Sequence, residues 1–139
     1  MNWVDRRAHR ETLLSHSDEV WNSVRSAVQD ACESFNGHYA TTQTPVVCKA
    51  ENGSRLFISR TIVADRVRIF SDIKLHALVA FSGLEITVTY KNGFKAYQIT
   101  ADDESAFVVD KGKRQTPDEV SQSILEPVLY PVFQGQQEL

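Results

Sequence analysis

Between residues 18 and 35, apolar side chains return every three or four positions: Val20, Trp21, Val24, Val28, Cys32 and Phe35, with Ala27 and Ala31 beside them. That spacing lines one face of an α-helix, while Asn22, Arg25, Ser26, Gln29, Asp30 and Glu33 occupy the other. Ser15 or Ser17 can cap its start, Asp18 and Glu19 put negative charge in the first turn, and Gly37 suits a left-handed position just past the end. Ahead of it, residues 2–14 predict a shorter helix anchored by Trp3, Val4, Leu13 and Leu14.

From Pro45 onward the period changes to two. Asn52-Gly53 and Asn92-Gly93 each sit between alternating segments, a strong local signal for a hairpin. Two-residue turns there pair Val47 with Ile58 and Lys49 with Leu56, then Ile86 with Ile99 and Val88 with Tyr97. Thr87, Thr89, Gln98 and Thr100 share the opposite, polar face. Ala64-Asp65 can reverse the chain so that Ile62 opposes Val67. Residues 72–81 admit two readings. As a strand, Ile73, Leu75, Ala77, Val79 and Phe81 alternate with Asp72, Lys74 and His76. A Ser82-Gly83 turn then sets Phe81 opposite Leu84 and Val79 opposite Ile86, on the same apolar face as before. As a helix, Ser71 caps the start and Gly83 closes the end. The strand is better supported, although it asks for a run of about sixteen residues, or a bend near Ser71-Asp72.

Residues 106–109 read as the last strand and residues 111–114 as a loop. Thr116-Pro117-Asp118-Glu119 is a helix start, with a capping Thr, Pro at the first position and Glu at the third. Val120, Ile124, Leu125 and Val128 supply the stripe of that helix, Pro127 should kink or end it, and residues 134–139 read as a frayed tail. The expected fold is therefore α+β: an antiparallel β-meander of five to six strands, with a long N-terminal amphipathic helix and a C-terminal helix packed on it. Residues 1–139 form a single domain in this scheme, with 1–16 as a helical N-terminal extension. If residues 72–81 are helical, the order of elements resembles class I type III secretion chaperones. That resemblance implies a dimeric module that binds a partner's unfolded segment without catalysis.

Composition narrows the function classes. At 139 residues the chain can bury a core without staples, and its net charge of −3 lacks the basic excess of a dedicated nucleic-acid binder. Cys32 and Cys48 are too few for a disulfide scaffold. Cys32 reads as a small core residue, and Cys48 falls on the strand face opposite Val47 and Lys49. Residues 1–10 are polar and Arg-rich, unlike a signal peptide, and no apolar run reaches membrane-spanning length. A cytoplasmic location and no membrane partner are the expectation.

Catalytic signatures are missing: there is no G-x-S-x-G elbow and no Walker loop, and Asp102-Asp103-Glu104 lacks the ligand spacing of a calcium loop. His9, His16, His38 and His76 do not share the spacing of a metal pair. No catalytic residue, metal ligand or cofactor is predicted. Arg60 stands apart, because the register puts it among Leu56, Ile58 and Ile62. There it must snorkel to an edge, pair with a carboxylate or hold an anion. With Lys49 and Tyr97 as further polar anchors and Tyr90 as a wall, it outlines a candidate ligand pocket between sheet and long helix. Arg55, Arg66 and Arg68, interleaved with Phe57 and Phe70, form a basic-aromatic strand surface similar to single-stranded nucleic-acid platforms. The acidity of the chain argues against nucleic acid. The leading expectation is a non-enzymatic protein-binding or assembly module, meeting a protein partner or a second copy of itself. The alternative is a small-molecule binder or simple enzyme using the Arg60 pocket.

Overall fold

The computed structural model describes residues 3–39, 44–63 and 72–131. The N-terminal stretch is one long bent helix, α1 (Trp3–Leu14) and α2 (Ser17–Tyr39), broken by a turn at Ser15–His16. Seven strands follow: β1 (Val47–Asn52), β2 (Arg55–Ile62), β3 (Ile73–Ser82), β4 (Glu85–Tyr90), β5 (Gly93–Ala101), β6 (Ala106–Asp110) and β7 (Lys113–Gln115). Helix α3 (Pro117–Leu129) closes the described part of the chain. The strands form one antiparallel sheet in sequence order. No helix among the described residues is long and apolar enough to cross a membrane.

The sheet is covered on one face. Leu56, Ile58, Ala77, Val79, Ile86, Val88, Tyr97, Ile99 and Val108 point inward and meet Trp21, Val24, Val28, Cys32 and Phe35 of α2 and Val120, Ile124, Leu125 and Val128 of α3. Ile58, Val88 and Tyr97 are all at 1% exposure or less, so the expected common interior exists. Of residues 72–81, all but Asp72 lie in strand β3, which removes the short helix on which the chaperone resemblance depended.

Helix α2 also holds the hairpins in place. Trp21 Nε1 donates to Gly53 O in the β1–β2 turn (2.7 Å), and its ring stacks on Phe81, with centroids 5.6 Å apart. Ser17 Oγ donates to Gly83 O in the β3–β4 turn. At the far end, the Asn36 amide donates to Val46 O and accepts from Val46 N, both at 2.8 Å. Gly37 does not terminate the helix. It is helical itself, and α2 runs on to Tyr39, because this pair of bonds rewards one more turn of helix beyond Phe35.

The turns differ from the simplest expectation, with unequal consequences. In the second hairpin the loop is Lys91-Asn92, so Ile86 pairs with Tyr97 and Val88 with Lys95. Likewise the β3–β4 loop is Gly83-Leu84, with Gly83 at φ +62°, and Phe81 pairs with Ile86. Both are slips of two in pairing, and an even slip leaves every side chain on its face. In the first hairpin Asn52 pairs with Arg55 around Gly53-Ser54, but the register shifts again between Ala50 and Asn52, leaving Glu51 as an extra residue. A bulge changes the slip to an odd one and turns the strand over. Cys48 therefore opposes Ile58 and faces the core, whereas Val47 and Lys49 face outward and are exposed. The Ala64-Asp65 reversal and Val67 lie outside the described residues; the ladder partner of Ile62 is Ile73.

The sheet has one strand more than the upper expectation. Lys111 and Gly112 both take positive φ, 53° and 77°, in a two-residue reversal that returns Lys113–Gln115 alongside β6. The segment expected to be loop is thus a hairpin feeding directly into α3, whose capping box forms as expected. Glu119 N donates to Thr116 Oγ1, and Thr116 N donates to the Glu119 carboxylate. The tail at residues 134–139 lies outside the described residues.

Replacing Asn36 by Ala leaves the Val46 N–H and C=O without their partners at the α2–β1 contact. Urea denaturation of Asn36→Ala should show a loss of about 2 kcal/mol with an unchanged m-value.

Candidate functional site

Three of the four groups assigned to a pocket, Arg60, Tyr90 and Tyr97, converge on helix α3. Pro127 is the origin of this arrangement. It lies inside α3 without ending it, and a proline at that position cannot donate to the carbonyl four residues earlier, which belongs to Ser123. Lys95, on the inward face of β5, reaches that carbonyl with its Nζ at 2.8 Å. Tyr90 OH donates to the next carbonyl, Ile124 O, at 2.6 Å, and Lys95 Nζ lies over the Tyr90 ring, 5.6 Å from its centroid. Tyr97 OH bonds the Ser123 hydroxyl at 2.7 Å.

Arg60 serves the same helix one turn later. It is 4% exposed, and its Nη1 donates to Val128 O (3.0 Å) and Leu129 O (2.8 Å). Those carbonyls lie at the very end of the helix, where carbonyls run short of intrahelical donors and the dipole is negative. On its other side Arg60 Nε donates to Thr44 O and Oγ1, and the guanidinium lies over the Phe35 ring at 5.0 Å. These bonds place Arg60 at a helix terminus, a use that the three sequence alternatives did not include.

The electrostatics follow from burial. Burial lowers the Arg60 pKa from its ordinary value, with nearby Tyr130 acting the other way, and a guanidinium remains charged at any physiological pH. Burial raises Tyr90, with Tyr97 adding to the rise. Tyr97 is also raised by burial, against the Ser123 hydrogen bond, with Asp110 reinforcing the rise.

Lys49, the fourth anchor, is not in this group: the Glu51 bulge puts it on the exposed face. Two open grooves flank α3. One, of about 790 Å³, runs between α2 and α3 past Ala27, Ala31, Ser121 and Leu125. The other, of about 660 Å³, lies between the ends of β3–β5 and the end of α3, with Tyr90, Phe94, Lys95 and Tyr130 on its walls. Among the described residues, no group of three or more His, Cys, Asp or Glu side chains could hold a metal.

The outer face of the sheet is chemically different. Phe57, Leu78, Thr89 and Phe94 are successive register partners across β2 to β5, with Ala80 and Ala96 in the next row and Val47 at the β1 edge. Phe57 stacks on His76, the centroids 6.1 Å apart. Of the basic-aromatic set, Arg55 and Phe57 are on this face, Arg55 in an exposed pairing with Glu51; Arg66, Arg68 and Phe70 lie outside the described residues.

No family model, curated protein or solved structure matches this chain. Lys95, Leu78 and Phe94 are residues that sequence reasoning passed over. Lys95 could have been found, since an interior proline implies a free carbonyl four residues back and an inward lysine can answer it.

Two expectations test this arrangement. Lys95→Met should destabilise the fold by roughly 1–2 kcal/mol. The loss should shrink in a Pro127→Ala background, where the new backbone N–H can serve Ser123; chemical denaturation of the double-mutant cycle measures the coupling. The tyrosines also predict alkaline behaviour. Folding holds both phenols above their unfolded values, so their contribution is complete below about pH 10 and is lost as pH rises toward the folded values. Stability should fall less steeply above that pH in Tyr90→Phe and Tyr97→Phe than in the wild type.

Proposed function

We propose that the chain is a non-enzymatic protein-binding module that assembles with a second copy of itself through the outer face of its sheet. The observation that carries this is the apolar row from Phe57 through Leu78 to Phe94, on the face opposite α2 and α3. Phe94 is 64% exposed and Val47 56% exposed. An antiparallel sheet that meets water on one side ordinarily alternates to polar residues there. Adjacent aromatic and aliphatic residues in one row instead favour a partner, and apolar surface of this kind marks association sites.

Charge favours a second copy. Lys49 flanks the row on the β1 side, with Arg55 beside it paired to Glu51, and Glu85 lies on the β4 side. A two-fold axis along β3 would set the basic side of one face against the acidic side of the other. Such isologous pairing is the commonest route to a homodimer. The polar groups gathered on α3 support a non-catalytic role, since Arg60, Tyr90, Lys95 and Tyr97 all spend hydrogen bonds on holding that helix. A second reading, a small-molecule binder, is favoured by the groove beside Tyr90, Phe94 and Lys95.

Light scattering at tens of micromolar should give twice the chain mass of 15.7 kDa. Phe94→Glu and Phe57→Glu should return it to one chain mass with an unchanged far-ultraviolet spectrum. A monomeric wild type across that range would defeat the dimer and leave the groove as the site to test with ligands.

A further inference from the structure

Cys32 and Asn36 are four residues apart on α2 and share a face of the helix; Val46, the residue before β1, and Cys48 are two apart and both pack on the core. The Asn36 amide clamps both backbone groups of Val46. From Asn36 back to Cys32 the helix rises about 6 Å, and from Val46 on to Cys48 an extended chain rises about 6.6 Å. With the two elements running in opposite directions, the clamp sets Cys32 against Cys48. Cys32 belongs to the buried core cluster and Cys48 packs against it, and each thiol shifts the other's protonation. Cys32 is 3% exposed, whereas Cys48 is half-buried on an edge strand. Only the Glu51 bulge turns Cys48 toward the helix at all.

We propose that Cys32 and Cys48 form a hydroperoxide-reactive dithiol, in which Cys48 is the attacking sulfur and Cys32 the resolving one. In the first step the Cys48 thiolate attacks the terminal oxygen of a hydroperoxide. The S–O bond forms, the O–O bond breaks, and the departing alkoxide takes a proton and leaves as an alcohol, or as water from hydrogen peroxide. In the second step the Cys32 sulfur attacks the Cys48 sulfenic acid. The S–S bond forms, the S–O bond breaks, and the hydroxyl leaves as water with the Cys32 proton. Two electrons pass from the two sulfurs to the peroxide.

The division of roles follows from the environment. The interaction with Cys32 lowers the Cys48 pKa, against burial, which favours the thiolate where solvent can reach it. The interaction with Cys48, then burial, raises Cys32, and at 3% exposure Cys32 is also the thiol that a peroxide in solution cannot reach. The product joins the edge strand to α2 across the segment from 32 to 48, a cross-link that restricts the unfolded chain. The inference stands independently of what the outer face binds.

Reduced wild-type protein treated with hydrogen peroxide should lose about 2 Da, yield a peptide linking Cys32 to Cys48, and regain both thiols on reduction. Its melting temperature should rise by about 5 °C on oxidation. In Cys32→Ser, peroxide should leave a Cys48 sulfenic acid that dimedone captures; in Cys48→Ser, Cys32 should stay unmodified. The wild-type mass measurement does not depend on either variant folding. Both thiols remaining alkylatable in excess peroxide would overturn the proposal. So would oxidation that stops at a Cys48 sulfinic acid, or disulfides that join two chains.

Discussion

Helix α3 can sit on this sheet only because its backbone oxygens find donors inside the protein. Proline at position 127 removes one intrahelical donor, and the end of the helix removes more, so Ser123, Val128 and Leu129 offer carbonyls in a region largely closed to water. An unsatisfied buried carbonyl costs about 1–3 kcal/mol, so several left together would offset much of a small domain's stability. The sheet answers with Lys95 and Arg60, two cations on inward positions, and Tyr90 adds a hydroxyl at the neighbouring Ile124 carbonyl. Each brings positive charge or a positive dipole toward the negative half of the helix, so the hydrogen bonds and the helix dipole act in the same direction. The same interactions fix where α3 lies along the sheet, because three strands each contribute a donor at a different height.

This explains why the elements were legible in the sequence and the pocket was not. The α2 stripe, the Thr116 capping box and the alternation of Ile86, Val88, Tyr97 and Ile99 are local patterns, and local patterns report faces directly. Even the misplaced turns at Asn92-Gly93 and Ser82-Gly83 left those faces intact, because a slip of two preserves alternation. Arg60 was correctly marked as anomalous on an apolar face. Its partners were not legible, because Val128 and Leu129 are almost seventy positions away along the chain and no charge pattern pairs an arginine with a backbone oxygen. The one failure of faces, at β1, came from a single extra residue. Glu51 carries no sequence mark of a bulge, and its effect was to exchange Lys49 for Cys48 on the inner side.

The two faces of the sheet are built to different ends. Inside, Arg60, Tyr90, Lys95 and Tyr97 each meet a specific partner, as buried polar groups generally do. Outside, Phe57, Leu78 and Phe94 follow one another across four strands, broken only by Thr89, and the aromatic ring of Phe57 finds His76 for company. At the opposite edge Phe107 is covered by Arg114, whose guanidinium lies 4.1 Å from the ring centroid. That contrast matters: the chain covers one outer phenylalanine with its own arginine, while Phe94 remains 64% exposed. The uncovered part of the face is also the part where opposite charges flank the apolar row.

Strand β1 is where these features meet. The bulge that turns Cys48 inward necessarily turns Val47 outward, since adjacent strand residues point to opposite sides. One inserted residue thus supplies both a thiol for α2 and an apolar side chain for the open face. Among the described residues strand β1 has a sheet neighbour on one side only, and its attachments to the rest of the fold include the β2 ladder, the Trp21 and Arg25 bonds to the turn, the packing of Cys48 on the core and the Asn36 clamp. A covalent link from Cys48 to Cys32 would act on this edge strand, beside the Asn36 clamp. Because Val47 is the next residue, fixing Cys48 also fixes how Val47 and Lys49 stand relative to Phe57. A link between the two sulfurs would in this way reach the outer surface through a single residue of strand.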